Sequence, residues 1–148
     1  MADINFYHLT KSSVKQALPK LLDKVLASGK RGLVVARDES QLAEINEYLW
    51  VSTRSFLPHG TKEDGFPSHQ PLYLTCDNDC PNGAQVLVLV EGGTYEALNQ
   101  FEKCLVLFDG NQNEYVSAAR QQWKNYVTQG HSLTYWQQDE QGKWQKGK

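Results

Sequence analysis

The segment GLVVARDES, residues 32–40, decides the fold class of this chain. Its first part, residues 32–37, begins as an apolar run with too little alternation for a half-exposed strand, which is typical of a strand buried in a parallel sheet. Asp38, Glu39 and Ser40 then supply the capping groups that favour a helix N-terminus. The segment therefore predicts a strand followed directly by a helix, as in α/β domains.

The residues before and after this segment continue the same order. Residues 4–9 form an apolar, aromatic strand, and apolar residues recur at helical spacing over residues 13–28, where Gly29 closes the pattern. Pro19 lies inside that helix, and we expect it to kink the helix or to mark a weak first turn. The second helix runs through Trp50, which completes strand, helix, strand and helix in the first third of the chain.

The rest of the chain predicts more strands, two helices and one long loop. Proline, glycine and histidine are frequent over residues 57–71, so we expect an irregular connection there, and such loops are often interaction surfaces. We predict strands at residues 72–76, 85–90, 103–109 and 131–138, and helices at residues 91–101 and 113–129. The first two of these strands are joined by a turn-rich, hairpin-like connection, and the last one is expected at a sheet edge.

The C-terminal residues differ in composition from the part before them. The segment 139–148 is polar apart from Trp144. We therefore expect one α/β domain over residues 1–138 and a polar C-terminal tail over residues 139–148.

Composition and charge exclude several classes of protein. The chain has 148 residues, of which 40% are hydrophobic and 22% charged, which suits one domain with a single core. Its formal net charge of −2 is unlike that of a protein whose whole surface binds nucleic acid, so an anionic ligand must meet a local basic patch. No run approaches the ~20 apolar residues that cross a bilayer, and the N-terminus is unlike a signal peptide. We expect a cytoplasmic protein without membrane contact.

The sequence carries no recognisable nucleotide-binding or nucleophile motif. Neither phosphate-loop pattern is found, although Gly92 and Gly93 follow a predicted strand at the start of a predicted helix, where a plain tight turn is the favoured interpretation. None of the four histidines accompanies a nucleophile motif. We predict no cofactor and no enzymatic activity.

A metal site is also not predicted. Cys76 and Cys80 could join His59 and His69 in a crude zinc set, but their spacing is not that of paired zinc ligands, and incidental thiols are favoured. Cys104 precedes an apolar strand run and is assigned to the core. An odd number of cysteines, three in all, favours reduced thiols.

Four residues share one face of the last long predicted helix: Val116, Arg120, Trp123 and Lys124. A guanidinium offers a fork of donors to a carboxylate, an indole gives a flat apolar wall, and a lysine adds a second positive charge. Alternatively, Trp123 belongs to the core and the two cations pass beside it to reach solvent. Spacing alone leaves both interpretations open.

Six segments of the sequence, in this order and at these intervals, resemble the chi subunit family of bacterial DNA polymerase III. They are FYHL, SGKRGLVVA, EINEYLW, SFLPHG, ARQQWK and GHSLTYWQQ, and the likeness spans nearly the whole chain. The resemblance implies a single α/β, Rossmann-like domain of three layers with a mostly parallel sheet and no phosphate-binding loop.

The resemblance also implies a function. Chi proteins are not polymerases; they are accessory to the clamp loader and hold the acidic C-terminal tail of single-stranded DNA-binding protein. Carried over to this sequence, the resemblance implies that Arg120 would bind the terminal carboxylate of the tail. Trp123 would contact the apolar end of the tail, and Lys124 would attract its aspartates. Val116 stands where some members carry a further basic residue, so we expect tail binding that is weaker or depends more on apolar contact.

A second surface follows from the same resemblance. Trp50, Phe56, Leu57 and Pro58 correspond to the segment that contacts the psi subunit, with Phe56 as the anchor, although bulky apolar residues also fit a lid over the core. The chain is thus expected to be a non-catalytic replication adaptor. Its partners would be the protein tail and the psi subunit or another clamp-loader subunit, with only indirect contact to DNA.

Two alternatives stay open. One is a direct binder of single-stranded nucleic acid that uses Trp123, Tyr126, Tyr135 and Trp136 as stacking platforms. The other is a small nucleotide-dependent enzyme with a phosphate nest at the paired glycines.

Overall fold

The computed structural model describes residues 3–51, 59–62 and 67–147. In this part of the chain the strands are β1 (Asp3–Leu9), β2 (Gly32–Val35), β3 (His59–Gly60), β4 (Leu72–Thr75), β5 (Val86–Val90), β6 (Lys103–Asp109), β7 (Ser132–Gln138) and β8 (Trp144–Lys146). The α-helices are α1 (Val14–Ala27), α2 (Glu39–Val51) and α3 (Asn113–Thr128).

The strands form one sheet in the order β3-β4-β2-β5-β6-β1-β7-β8. Every pair of neighbours is parallel except β7 and β8, which run antiparallel. All four residues of β2 are buried, as the unbroken apolar run at residues 32–35 predicts. The predicted α/β class with a mostly parallel sheet is confirmed.

The helices cover both faces of the sheet and make three layers. One buried cluster joins α1 and α2 to the sheet, with Leu22, Val34 and Ile45 among its members. The other cluster lies on the opposite face and includes Phe6 together with Tyr126 of α3. Because successive strand residues point to opposite faces, β1 contributes to both clusters.

Side chains cap the N-termini of α1 and α2, and the cap of α2 is one that the sequence predicts. Ser13 accepts a hydrogen bond from the Gln16 amide at 3.2 Å, while the Gln16 side chain accepts one from the Ser13 amide at 2.9 Å. Asp38 accepts from the Gln41 amide at 2.8 Å at the start of α2. Pro19 lies within α1, which is continuous through it.

Three sequence predictions about connections are wrong. The strands β4 and β5 do not form a hairpin-like pair, because both run parallel to β2 and lie on either side of it. Residues 91–101 contain only a 3-10 turn, Leu98–Gln100, in place of the predicted helix. The strand β7 is not at the edge, because β8 pairs with it on its outer side.

The predicted long loop lies partly outside the described residues. Its described part contains β3 and a 3-10 turn, Pro67–His69, and β3 forms one edge of the sheet. No helix among the described residues has the length and apolar character needed to cross a membrane.

Candidate functional site

The strands β1 and β7 place two aromatic residues side by side beneath α3. Phe6 and Tyr135 are partners in the parallel register of these strands, so both project from the same face of the sheet. Phe108 of β6 lies on this face too. Together the three rings make an aromatic floor under the helix.

The helix α3 covers this floor only in part. Ala119 and Tyr126 are its buried residues, whereas Val116 and Trp123 are half-buried. A cavity of about 330 Å³ remains between helix and sheet. We call this cavity the α3 pocket. It is lined by Phe6, Phe108, Val116, Ala119, Arg120, Trp123, Lys124 and Tyr135. The four residues predicted from helical spacing therefore line one pocket.

Trp123 combines the two interpretations that the sequence left open. Its ring meets Phe6 edge-on with centroids 5.2 Å apart, and it meets Tyr135 in the same manner at 6.0 Å. The indole thus packs against core residues with part of its surface and bounds the pocket with another part. Such edge-to-face contacts are favourable and fix the orientation of the wall.

The two cations of the pocket stand at its solvent-exposed rim. Arg120 and Lys124 are both exposed. Within the part of the chain that the structure describes, neither of them forms an ion pair with a carboxylate. Their charges are thus available to an anionic ligand, and the pocket joins an aromatic interior to a positive rim.

His8 lies within β1, next to the α3 pocket. Its Nδ1 is hydrogen-bonded to the Tyr135 hydroxyl, and its ring packs against Phe108 with centroids 5.0 Å apart. Burial lowers the pKa of His8, and the Arg120 guanidinium lowers it further, against the opposing effect of Asp109. Burial raises the pKa of Tyr135. We infer a neutral His8–Tyr135 pair near pH 7.

The loop between β1 and α1 is where a Rossmann-type domain usually holds a phosphate. Here the side-chain oxygen of Gln138 accepts hydrogen bonds from the amides of Thr10, Lys11 and Ser12 at 3.0, 3.0 and 3.2 Å. The backbone donors that could bind an anion are thus occupied by the protein itself.

The paired glycines form a tight turn, as favoured from the sequence. The Gly93 amide donates to the Val90 carbonyl at 2.8 Å, and Gly92 has a φ of 83°. A Cβ on Gly93 would lie 2.4 Å from the Val35 carbonyl oxygen, so close packing requires glycine there.

The cysteines and histidines of the described residues do not converge on a metal site. No group of three potential ligands occurs in residues 3–51, 59–62 and 67–147. The Cys76 thiol donates to Glu39 at 3.1 Å, which raises the pKa of Cys76 to about 11. Cys80 lies near the Asn82 side-chain oxygen at 3.6 Å, and Cys104 is fully buried in the core, as predicted.

The second predicted surface is described only at its start. Trp50 at the end of α2 is 50% exposed, and its ring lies 4.2 Å from that of His59. Its neighbour Val51 is 75% exposed. Phe56, Leu57 and Pro58 lie outside the described residues, so their part of this prediction stays a prediction.

The structure separates the aromatic residues of the alternative stacking platform. Trp123 and Tyr135 line the α3 pocket, and Tyr126 is buried beneath the helix. Trp136 follows Tyr135 in β7 and therefore projects from the opposite face of the sheet. These four rings do not form one surface.

Residues of the pocket floor were missed because helical spacing cannot reveal them. Phe6, Phe108 and Tyr135 lie on three strands that are distant in sequence and adjacent in the sheet. The alternation of side chains along one strand shows which residues of that strand share a face of the sheet. Only the order of the strands in the sheet shows that Phe6, Phe108 and Tyr135 are neighbours.

The sequence of the chain is similar to those of known proteins. The model of the family described as "DNA polymerase III chi subunit, HolC" matches residues 1–134. A protein of Rickettsia prowazekii (strain Madrid E), described as "Probable DNA polymerase III subunit chi", is 29% identical over 109 residues. That match covers 73% of this chain and 66% of the Rickettsia protein, slightly less than two thirds of its length.

Proposed function

This chain belongs to the DNA polymerase III chi subunit family, a family of replication subunits, and we propose that it serves as a non-catalytic adaptor. In this proposal it links the clamp loader of the polymerase to single-stranded DNA-binding protein. The link to the binding protein is made by its acidic C-terminal tail, which is held in the α3 pocket.

The observation that carries this proposal is the pairing of an aromatic pocket with two cations that lack an ion pair in the described residues. A peptide that ends in apolar side chains, a free carboxylate and nearby aspartates matches both properties. Arg120 would bind the carboxylate through its fork of donors, and Lys124 would attract the aspartates. Trp123 and Val116 would contact the apolar end.

The charge of the rim makes affinity depend on salt. Both cations are exposed, and exposed charges are screened over about 8–10 Å at 0.1–0.15 M salt. Binding should therefore weaken as the salt concentration rises, while the apolar contacts inside the pocket persist.

The link to the clamp loader would use the other face of the sheet. Trp50 and Val51 expose apolar surface at the end of α2, and a large exposed aromatic is a common anchor of protein interfaces. We propose the psi subunit, or another clamp-loader subunit, as the partner there. Because α2 and α3 cover opposite faces, both partners could bind at the same time.

Calorimetric titration with a synthetic tail peptide tests the proposal. Wild-type protein should bind in the micromolar range, and Arg120→Ala should weaken binding at least about tenfold, because hydrogen bonds to charged groups contribute roughly 1.5–3 kcal/mol. Lys15→Ala, which removes an equal charge at an exposed position of α1, where Lys15 lies 3.7 Å from Glu44, is the control. Equal affinities of wild type and Arg120→Ala would refute the assigned site.

A further inference from the structure

The face of the sheet opposite the α3 pocket carries a second group of aromatic rings. Tyr7 and Trp136 are register partners, and their rings are nearly parallel, 11° apart in plane with centroids separated by 6.5 Å. Trp144 of β8 meets Tyr7 edge-on at 5.0 Å. All three are half-buried, and we call them the Tyr7 face.

The orientation of this face is fixed by the fold. The indole N–H of Trp136 donates to the side-chain oxygen of buried Asn5 at 3.0 Å. Tyr7 and Trp144 also pack against the cluster beneath α1. Rings held in this way lose little conformational entropy when a flat ligand stacks on them.

Lysines from separate elements surround the Tyr7 face. A cavity of about 220 Å³ is lined by Tyr7, Lys24, Lys30 and Lys103 among others, and an adjoining one of about 560 Å³ by Trp144, Lys20 and Lys24. Lys24 of α1 lines both cavities and so joins them. Lys30 is already paired with Glu102 at 2.8 Å, which leaves Lys20, Lys24 and Lys103 as the cations available to a ligand.

The local charge contrasts with that of the whole chain. Aspartate and glutamate outnumber lysine and arginine, 17 to 15, yet no carboxylate lines either cavity among the described residues. The two cavities form a groove beside α1 in which lysines predominate. The nearby carboxylates are Glu102, which pairs with Lys30, and Asp3. Burial raises the pKa of Tyr7, and the charge of Asp3 raises it further. Lys20 and Lys24 lie one turn apart on α1, and Lys103 joins them from β6.

We propose that the Tyr7 face, with Lys20, Lys24 and Lys103, binds single-stranded nucleic acid. Sites of this kind combine aromatic rings on which bases stack with cations that follow the phosphate backbone. Lys146 adds a further cation, because it pairs with Trp136 in the antiparallel register and so lies on the same face. Few cations are involved, so binding should be modest and strongest at low salt.

This site lies on the opposite face of the sheet from the α3 pocket. Phe6 and Tyr135 project to one face, whereas Tyr7 and Trp136, the next residues along the same strands, project to the other. A peptide in the α3 pocket would not block the groove. The two sites can therefore be tested separately.

The test is fluorescence anisotropy with a labelled oligothymidylate at low salt, using the full chain. Wild type should bind, and Lys24→Glu should weaken binding several-fold. The slope of log affinity against log salt concentration should also become less negative by about 0.7 for each phosphate contact that is lost. The matched control is Lys15→Glu, a reversal on the same helix outside both cavities. Thermal melts of both variants establish that they are folded.

A second substitution isolates stacking from charge. Trp144→Ala should weaken oligonucleotide binding about fivefold or more, and Trp144→Phe should restore most of the loss. Tail-peptide affinity should stay unchanged in these variants. Four results would each overturn the inference: no oligonucleotide binding by wild type, equal weakening by Lys15→Glu, no effect of Trp144→Ala, or equally tight binding of polyglutamate. None of them depends on whether the α3 pocket binds a peptide.

Discussion

The ring of Trp123 meets the ring of Phe6 edge-on, with centroids 5.2 Å apart and planes 67° apart. This contact joins α3 to β1 and forms one wall of the α3 pocket. A residue that packs on one side and faces a cavity on the other contributes to both stability and binding. Its removal should therefore change two separate measurements.

Trp123→Ala should lower the free energy of unfolding by about 2 kcal/mol. Buried aromatic residues cost about 3–5 kcal/mol when truncated to alanine, and Trp123 is only half-buried. Urea unfolding measures the change, and Trp123→Phe, which keeps an aromatic contact with Phe6, should retain most of the stability. Unchanged stability in the alanine variant would contradict the packing described for this ring.

Gln138→Ala should destabilise the protein and create a site for an anion. The substitution leaves the amides of Thr10, Lys11 and Ser12 without their shared acceptor, at a cost of about 2 kcal/mol. Sulfate or phosphate should raise the melting temperature of this variant more than that of wild type, because it can occupy the vacated position. Gln137→Ala, a change at the exposed neighbour, is the control. Equal responses to the anion would contradict the assigned role.

The pH dependence of stability should contain a contribution from His8. Its pKa in the folded chain is lowered by burial and by Arg120, so the unfolded chain binds more protons below the ordinary value of about 6.5. The free energy of unfolding should fall as the pH drops through that value and level off below the lowered pKa. His8→Gln should remove this contribution.

Chemical denaturation at a series of pH values checks this expectation. Burial also lowers the pKa of His131, so that residue adds a contribution of the same sign. The double variant His8→Gln/His131→Gln should therefore have the flattest profile. A His8→Gln profile identical to that of wild type would rule out the proposed contribution.

Trp50→Ala should separate partner binding from folding. Half of the Trp50 surface is exposed, so we expect a loss of no more than about 1 kcal/mol in stability. An interface anchor costs at least about 2 kcal/mol of binding, or roughly 30-fold in affinity, when truncated. Titration with the psi subunit measures the effect, and Glu47→Ala on the same helix is the control. Wild-type affinity in Trp50→Ala would place the partner elsewhere.

Much of the fold could be predicted from local patterns in the sequence. The buried apolar run at residues 32–35 and the cap Asp38 act over short distances, and the strand and helix predicted from them are confirmed. The connection between β4 and β5 could not be predicted, because nothing local shows that β2 lies between them. The prediction that β7 lies at a sheet edge was wrong for a similar reason. The strand β8 pairs with β7 on its outer side, and it comes from a segment that is polar apart from Trp144 and gave no sign of a strand.

The candidate site, too, could be predicted from the sequence only in part. Val116, Arg120, Trp123 and Lys124 share a helix face, so their spacing predicts that they lie together. The aromatic floor and the His8–Tyr135 pair depend on strand order, which residue spacing does not contain. The contact of Gln138 with the loop after β1, where a phosphate is usually bound, could not be predicted either, because Gln138 is more than 120 residues away in the sequence.

We propose that Arg120 recognises the terminal carboxylate of a tail peptide. The most direct test is a calorimetric comparison of the peptide as free acid and as C-terminal amide, in wild type and in Arg120→Ala. Wild type should prefer the free acid at least about tenfold, and the variant should bind both forms with similar, weaker affinity. Equal binding of the two forms by wild type, or a preference retained in Arg120→Ala, would contradict this role of Arg120.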